Sequence, residues 1–360
     1  MESSSIIFNG SYFSRKASGI SVVSQQLAIS FRQEIMSLYA PFRVGNSEFY
    51  KLPESFLPEN GFKAHLRRLN WNQFKLSKVL KKNKDAVLFS PLPEAPIIKG
   101  IRYVVLVHDL LPLRIKCSLP LSLYHYFYVP MVVKNATKVI CNSETTANEV
   151  LKKLKVPQNK LEIIKLGFNN TNFLKLDFKR EPFILIIARH MPHKNLPRAL
   201  KAFSIFKSSN KNFYDYKLKI AGSFNKRLTP YYKSLAKELN LDNCCEWLDW
   251  ISEDEKINLL NRCQFLIIPS LWEGFGLPAL EALACGTPLI ASNKGAIQEI
   301  LGDNGLFFDP YNINSIANAM YEMATNKFLI NHFREFGPNR ALEYSWKNAA
   351  KKIEKVIYKI

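Results

Sequence analysis

Short apolar runs alternate with stretches of helical periodicity along most of this chain. In the first half, Ile6–Asn9, residues 86–89, Tyr103–Val107 and Lys138–Cys141 read as strands. In the second half, residues 183–187, 218–221, 246–250, 265–268 and 289–291 do the same, and 299–310 closes the series. Helical spacing separates them: Ile20, Val23 and Leu27 after the first strand, and Leu196, Leu200, Phe203 and Phe206 later. Asn195 is placed to cap the second of these helices, and Ser143 to cap the helix after residue 141. Ser252 with Glu255 forms a capping box. Strands and helices alternating in two runs predict an α/β protein of two doubly wound domains. An Asn-rich stretch after Gly167 places the boundary, giving residues 1–174, 175–339 and a C-terminal helix over 340–360.

One stretch concentrates the candidate chemistry. The strand at 265–268 runs into Pro269-Ser270-Leu271-Trp272-Glu273-Gly274-Phe275-Gly276-Leu277-Pro278-Ala279-Leu280-Glu281. Pro278 suits a first helical turn and Gly286 a helix end. The order is therefore strand, glycine loop, helix. Glu273 stands near the strand's carboxyl end and Glu281 in the first helical turn. Amides of Gly274, Phe275 and Gly276 are placed to meet an anion at the helix N-terminus. Two acids eight residues apart around such a loop suit a nucleotide sugar. One carboxylate accepts from a ribose, the other from a hexose, and the loop meets phosphate. Taken alone, Glu281 is better read as an acid stabilising its own helix by about 0.3–1 kcal/mol.

Three other loops carry candidates. Gly19 opens the first helix, where a glycine either lets a phosphate approach or simply makes the turn. The strand Tyr103–Val107 ends in His108-Asp109-Leu110. A histidine there can exchange a proton near neutral pH, while Asp109 reads as a cap for the following turn. After residues 183–187 come Arg189 and Lys194, flanking one crevice. Together they can neutralise a diphosphate, and either alone reads as a solvated loop charge.

The run Glu-Gly-Phe-Gly-Leu-Pro-Ala-Leu-Glu-Ala from Glu273, followed by Cys285-Gly286-Thr287-Pro288 and Glu299-Ile300, resembles the signature of the retaining family-4 glycosyltransferases of GT-B fold. The likeness extends over nearly the whole chain. It implies two Rossmann-like domains facing a central cleft, with the last helix crossing back to the first domain. It implies that Arg189 and Lys194 hold the donor diphosphate, and that Gly19 faces it from the other domain. Glu273, Gly274, Phe275, Gly276, Leu277 and Glu281 would bind the donor, and His108 would lie close to the transferred sugar. His108, Arg189, Lys194 and Glu273 are thus the expected catalytic set. Two positions depart from the pattern: Ala188 stands where a glycine usually precedes the arginine, and Asp249-Trp250 where a glycine usually lies near the base.

No Asp-x-Asp motif is placed to hold a metal, so a metal-independent reaction without cofactor is expected, the nucleotide-diphospho-sugar being co-substrate. Similarity to bacterial mannosyltransferases of surface-polysaccharide assembly puts GDP-mannose first among donors; rhamnose and glucose donors stay open. The acceptor would be a glycan or lipid-linked hydroxyl. A nucleotide-sugar epimerase of the same fold and a non-catalytic basic surface-binding protein are the competing readings.

Composition adds a partner class. Of 360 residues 47% are hydrophobic and 22% charged, and the net charge is +20, which favours an anionic partner. Residues 62–84 hold Lys63, Arg67, Arg68, Lys75, Lys78, Lys81, Lys82 and Lys84 without an acid. That pattern fits a helix touching anionic lipid, and equally a core-facing helix with a solvated basic face. No nucleic-acid motif accompanies the charge, so nucleic acid is not an expected partner. The six cysteines form no CxxC pair and the N-terminus lacks a basic leader. A cytoplasmic protein is therefore expected, with a peripheral place at the inner face of the membrane left open by the two readings of residues 62–84.

Overall fold

The computed structural model describes residues 5–15, 19–114 and 119–360. Backbone contacts divide the chain into two compact units, Met1–Gly167 with Tyr344–Ile360, and Phe168–Glu343.

The first unit is built on seven parallel strands: β1 (Ile6–Asn9), β2 (Met36–Ala40), β3 (Glu48–Lys51), β4 (Val87–Ser90), β5 (Tyr103–Val107), β6 (Lys138–Cys141) and β7 (Leu161–Ile163). Their order is β3-β2-β1-β4-β5-β6-β7. The central strands β1, β4 and β5 are buried at every residue, which is why they read as unbroken apolar runs. Strands β3 and β7 lie at the sheet's two edges, are short and unburied, and carry no such signal.

The second unit has six parallel strands: β8 (Glu181–Ile187), β9 (Lys217–Ala221), β10 (Cys245–Leu248), β11 (Cys263–Ile268), β12 (Leu289–Ser292) and β13 (Leu306–Phe308), in the order β10-β9-β8-β11-β12-β13. Each sheet thus reverses direction of growth once, between β1 and β4 in the first unit and between β8 and β11 in the second. Helices that lead away from such a reversal leave a crevice at the strands' carboxyl ends.

The limits of the units fall after Gly167 and after Glu343, a few residues from those expected, while the last helix joins the first unit as expected. The Asn-rich stretch belongs to the second unit, so the division falls after Gly167 and not after residue 174. Asn169 and Asn172 donate to the Glu253 carboxylate at 3.0 and 2.6 Å, and Phe168 packs its ring near Phe173. A run of asparagines reads as a linker only until those side chains find partners. At the other end, helix Trp346–Ile357 belongs to the first unit and packs on helix Gly19–Ser30. The buried Glu354 carboxylate accepts from the Arg32 backbone amide at 2.7 Å and from its guanidinium at 3.1 Å.

No helix among the described residues is long and apolar enough to cross a membrane. The five described cysteines are free thiols.

The entry of the terminal helix is tight. A Cβ at Gly167 would lie 2.2 Å from the Trp346 nitrogen, so no larger residue fits without displacing backbone. Gly167→Val should loosen the tail, read as faster proteolytic cleavage within 344–360. Unchanged cleavage would count against this packing.

Candidate functional site

The reversal in the second sheet sets two loops side by side. Strands β8 and β11 pair in parallel, with Leu185 opposite Leu266, so the loops after Ile187 and after Ile268 leave the same sheet edge. The first carries Arg189, His193 and Lys194; the second carries Ser270 and Glu273. Two bonds stitch them together, and a third ties in the loop after β13. The Leu271 amide donates to the His193 carbonyl at 2.7 Å, and the Asn195 amide group donates to the carbonyls of Pro269 and Pro310. Asn195 was expected as a helix cap. It does occupy that position, but in the left-handed region at φ 58°, and its side chain caps nothing. Asparagine tolerates that conformation, and its side chain is spent on joining loops.

The Lys194 ammonium donates to the Glu273 carboxylate at 2.5 Å, both side chains largely shielded from water. Burial alone would raise the Glu273 pKa; Lys194, Ser270 and His193 more than offset it, and the carboxyl lies below its ordinary range. Glu273 is therefore ionised at neutral pH. His193 lies within the field of Lys194, Glu273 and Arg189, and burial followed by the lysine pushes it down to about 4. Arg189 is solvent-exposed. Of the three residues expected together, Lys194 and Glu273 are in contact, and all three act on the charge of His193.

The loop geometry is enforced by glycines. Gly276 has φ +108°, and a Cβ there would meet the Ile297 side chain at 2.2 Å. Gly295, after β12, has φ +79° and would place a Cβ 2.4 Å from the Glu273 carbonyl oxygen. That same carbonyl accepts from the Ala296 amide at 2.9 Å. Gly222, at φ +144°, lies against the Ala188 carbonyl. Residues 273–277 lead directly into helix Leu277–Ala284, with Gly274 and Gly276 buried.

Glu281 corrects one expectation. It lies in the second turn of that helix, not the first, and does not serve its own N-terminus. It is buried, and Oε1 accepts from Lys256 at 2.5 Å. Burial raises its pKa despite Lys256. Its Oε2 is buried without a partner, a state that costs about 1–3 kcal/mol and that a ligand hydroxyl would relieve. Lys256 went unnoticed because the capping box beside it, which forms as expected, was the stronger pattern.

At the end of β10, the Asp249 carboxylate accepts from the Phe224 amide at 3.1 Å, tying two loops together. Trp250 beside it is exposed.

In the first unit, His108 follows β5. Its Nε2 lies 2.8 Å from the Pro91 carbonyl after β4. A carbonyl only accepts, so Nε2 carries the proton and Nδ1 is left as an acceptor. Burial pulls its pKa down to about 4, opposed by the Pro91 bond. The expectation of proton exchange near neutral pH is therefore wrong: a desolvated imidazole stays neutral there and acts as a hydrogen-bonding group. Asp109 accepts from the Leu111 amide at 2.8 Å, the turn cap that was expected. Gly19 is exposed at the start of its helix, with open space where a Cβ would stand; neighbouring Ala17 and Ser18 lie outside the described residues.

Two family models match in succession: Glycosyltransferase Family 4 over residues 17–171 and Glycosyl transferases group 1 over residues 169–340. This chain is a glycosyltransferase of GT-B fold. It is 27% identical to the O-antigen chain mannosyltransferase RfbU of Salmonella typhimurium, over 76% of each chain. It is 25% identical to the serotype-specific mannosyltransferase WbdA of Escherichia coli over 69% of its own length, and it spans about a third (32%) of that relative. Sucrose-phosphate synthase of Thermosynechococcus elongatus has the same fold, with a TM-score of 0.75 at 17% identity over 98% of each chain.

Two outcomes follow for this glycosyltransferase. Gly295→Ala should push on the Glu273 backbone and lower the thermal midpoint, strain of this kind costing about 1–3 kcal/mol; a midpoint equal to wild type would refute the constraint. The unfolded chain takes up the His108 proton near pH 6.5 and the folded chain near 4. Stability contributed above 6.5 is therefore lost as pH falls toward 4. Melting curves from pH 7 to 5 should fall more steeply for wild type than for His108→Gln, and parallel curves would overturn the assignment.

Proposed function

We propose that this glycosyltransferase moves a hexose, mannose first, from a nucleotide-diphospho-sugar to a glycan or lipid-linked hydroxyl, with retention and without a metal. The observation that carries the proposal is the Lys194–Glu273 contact at the sheet's reversal point. It puts a cation and an ionised carboxylate in contact, and Arg189 lies on the same loop as Lys194.

The hard step breaks the bond between the anomeric carbon and the leaving phosphate oxygen. Negative charge grows on the diphosphate, where Arg189 and Lys194 meet it. Groups that stabilise such charge contribute about 10²–10³ each in rate. Glu273 accepts from sugar hydroxyls, which fixes the anomeric carbon. Glu281 accepts from a ribose hydroxyl through the oxygen now lacking a partner. The acceptor oxygen forms the new bond on the same face, and its proton passes to the departing phosphate oxygen. The mannosyltransferase relatives support mannose; HepE of Anabaena, solved with UDP and glucose at 15% identity, shares only the fold.

Glu273→Gln and Lys194→Met should each lower transfer from GDP-mannose by about 10²–10³; each also leaves a shielded charge unpaired and lowers the thermal midpoint, so activity is compared at a temperature where both variants are folded. A donor at about 100 times its Kd should add about 2.7 kcal/mol to wild-type stability. Full activity in both variants would sink the site; stabilisation by another nucleotide sugar but not GDP-mannose would sink the donor.

A further inference from the structure

One titratable group beside the Lys194–Glu273 contact has no task in the reaction above. His193 lies on the short turn Pro192–Lys194, between β8 and helix Leu196–Ser209. Its carbonyl accepts from the Leu271 amide, which fixes its backbone to the loop after β11. The next residue is Lys194, whose ammonium meets Glu273 at 2.5 Å. The His193 side chain is half-buried, and its Nδ1 is buried without a hydrogen-bond partner.

That unpartnered atom sets the state of the ring in the free protein. A neutral imidazole holds one proton. On Nδ1 it would be a buried N–H without an acceptor, an arrangement that folded chains avoid, so it sits on Nε2. A charged ring needs a proton on both nitrogens. It is disfavoured here until something arrives that offers an acceptor or a counter-charge. Burial and Lys194 oppose the charge, Arg189 adds to them, and Glu273 alone favours it.

A diphosphate reverses this balance. Two cations and one carboxylate act on His193, which leaves one positive charge in excess. A nucleotide sugar brings two negative charges, one on each phosphate, and the excess becomes negative. Cleavage of the sugar bond adds a third to the leaving group. Lys194 also turns from Glu273 to phosphate, so the carboxylate loses its cation. One proton at His193 offsets the charge brought by the donor and opposes the charge that grows during cleavage.

We propose that His193 is a proton-linked diphosphate-binding group, which takes up a proton from solvent as the nucleotide sugar enters and stays charged against the leaving group. The inference rests on the donor reading above and adds to it a residue and a pH dependence. A group that holds its proton more tightly in the complex makes the complex tighter as pH falls. The gain begins at the pKa of His193 in the complex and ends at about 4, its value in the free protein. For one proton the limit is about tenfold in Kd per pH unit.

Calorimetric titration of the full chain with GDP-mannose, and with UDP-glucose in a parallel series, tests this. Neither phosphate of these probes titrates between about pH 5.5 and 7.5, so any proton taken up belongs to the protein. At pH 6 the wild-type heat should vary with the ionisation enthalpy of the buffer as net proton uptake requires. Its Kd should weaken several-fold from pH 5.5 to 7.5. His193→Gln should match wild type at pH 7.5, gain little on acidification and take up no proton. His193→Lys, charged throughout, should bind tightly at both ends of the range. A merely structural histidine would instead weaken both variants at every pH. Melting curves check the fold of each variant, and the His193 ring proton in the wild-type NMR spectrum reads the same titration without a substitution. Binding without proton uptake, or uptake that His193→Gln retains, would overturn the proposal and leave the donor reading standing. Absence of binding by both nucleotide sugars would sink the donor reading and this inference with it.

Discussion

A lysine and a glutamate from different loops meet at 2.5 Å in the second unit, and the loops around them are arranged to keep that meeting in place. Removing two charges from water costs several kcal/mol each unless they satisfy one another. Lys194 and Glu273 do so, with Ser270 adding a bond to the carboxylate. The backbone on one side is held by Gly295 and Ala296, on the other by Asn195 and His193. In the proposed reaction, each charge is neutralised in the free protein and exchanges its partner for substrate: lysine for phosphate, carboxylate for hydroxyl.

The two acids of the glycine loop show how environment separates like residues. Both are buried. Glu273 faces a lysine, a serine and a histidine, and its pKa falls. Glu281 faces one lysine, with Glu253 adding repulsion, and its pKa rises. A group of the first kind holds a charge ready for hydrogen bonding. The second, with one oxygen unpartnered, gains most from a hydroxyl donor. The same division of labour by surroundings recurs wherever paired carboxyls take different tasks.

In the first unit the polar groups near the strand ends are drawn inward. His108 is fastened to the Pro91 carbonyl, and three residues along the same loop Glu94 is fastened to Arg68. The loop after β4 therefore joins the sheet's crevice to helix Gly61–Trp71, in which Arg68 is buried. Burial sets the behaviour of both ends: a neutral imidazole at one, a compensated ion pair at the other.

The sequence by itself determined the class of fold and most of its strands, because strands buried on both faces in parallel sheets must be continuously apolar. It also determined the glycine loop and its acids, since a strand, a glycine turn and a helix start each leave local marks. Edge strands β3 and β7 escaped, being short and half polar. Which residues meet was decided only by the tertiary structure. Lys194 and Glu273 are 79 residues apart, and no local pattern records a sheet's reversal point. The same holds for Lys256 with Glu281, for Gly295 beneath Glu273, and for Arg68, whose helical spacing allowed a surface place until Glu94 drew it inside. Local pattern records what a residue can be; its partner and its proton come from the distant chain that removes it from water.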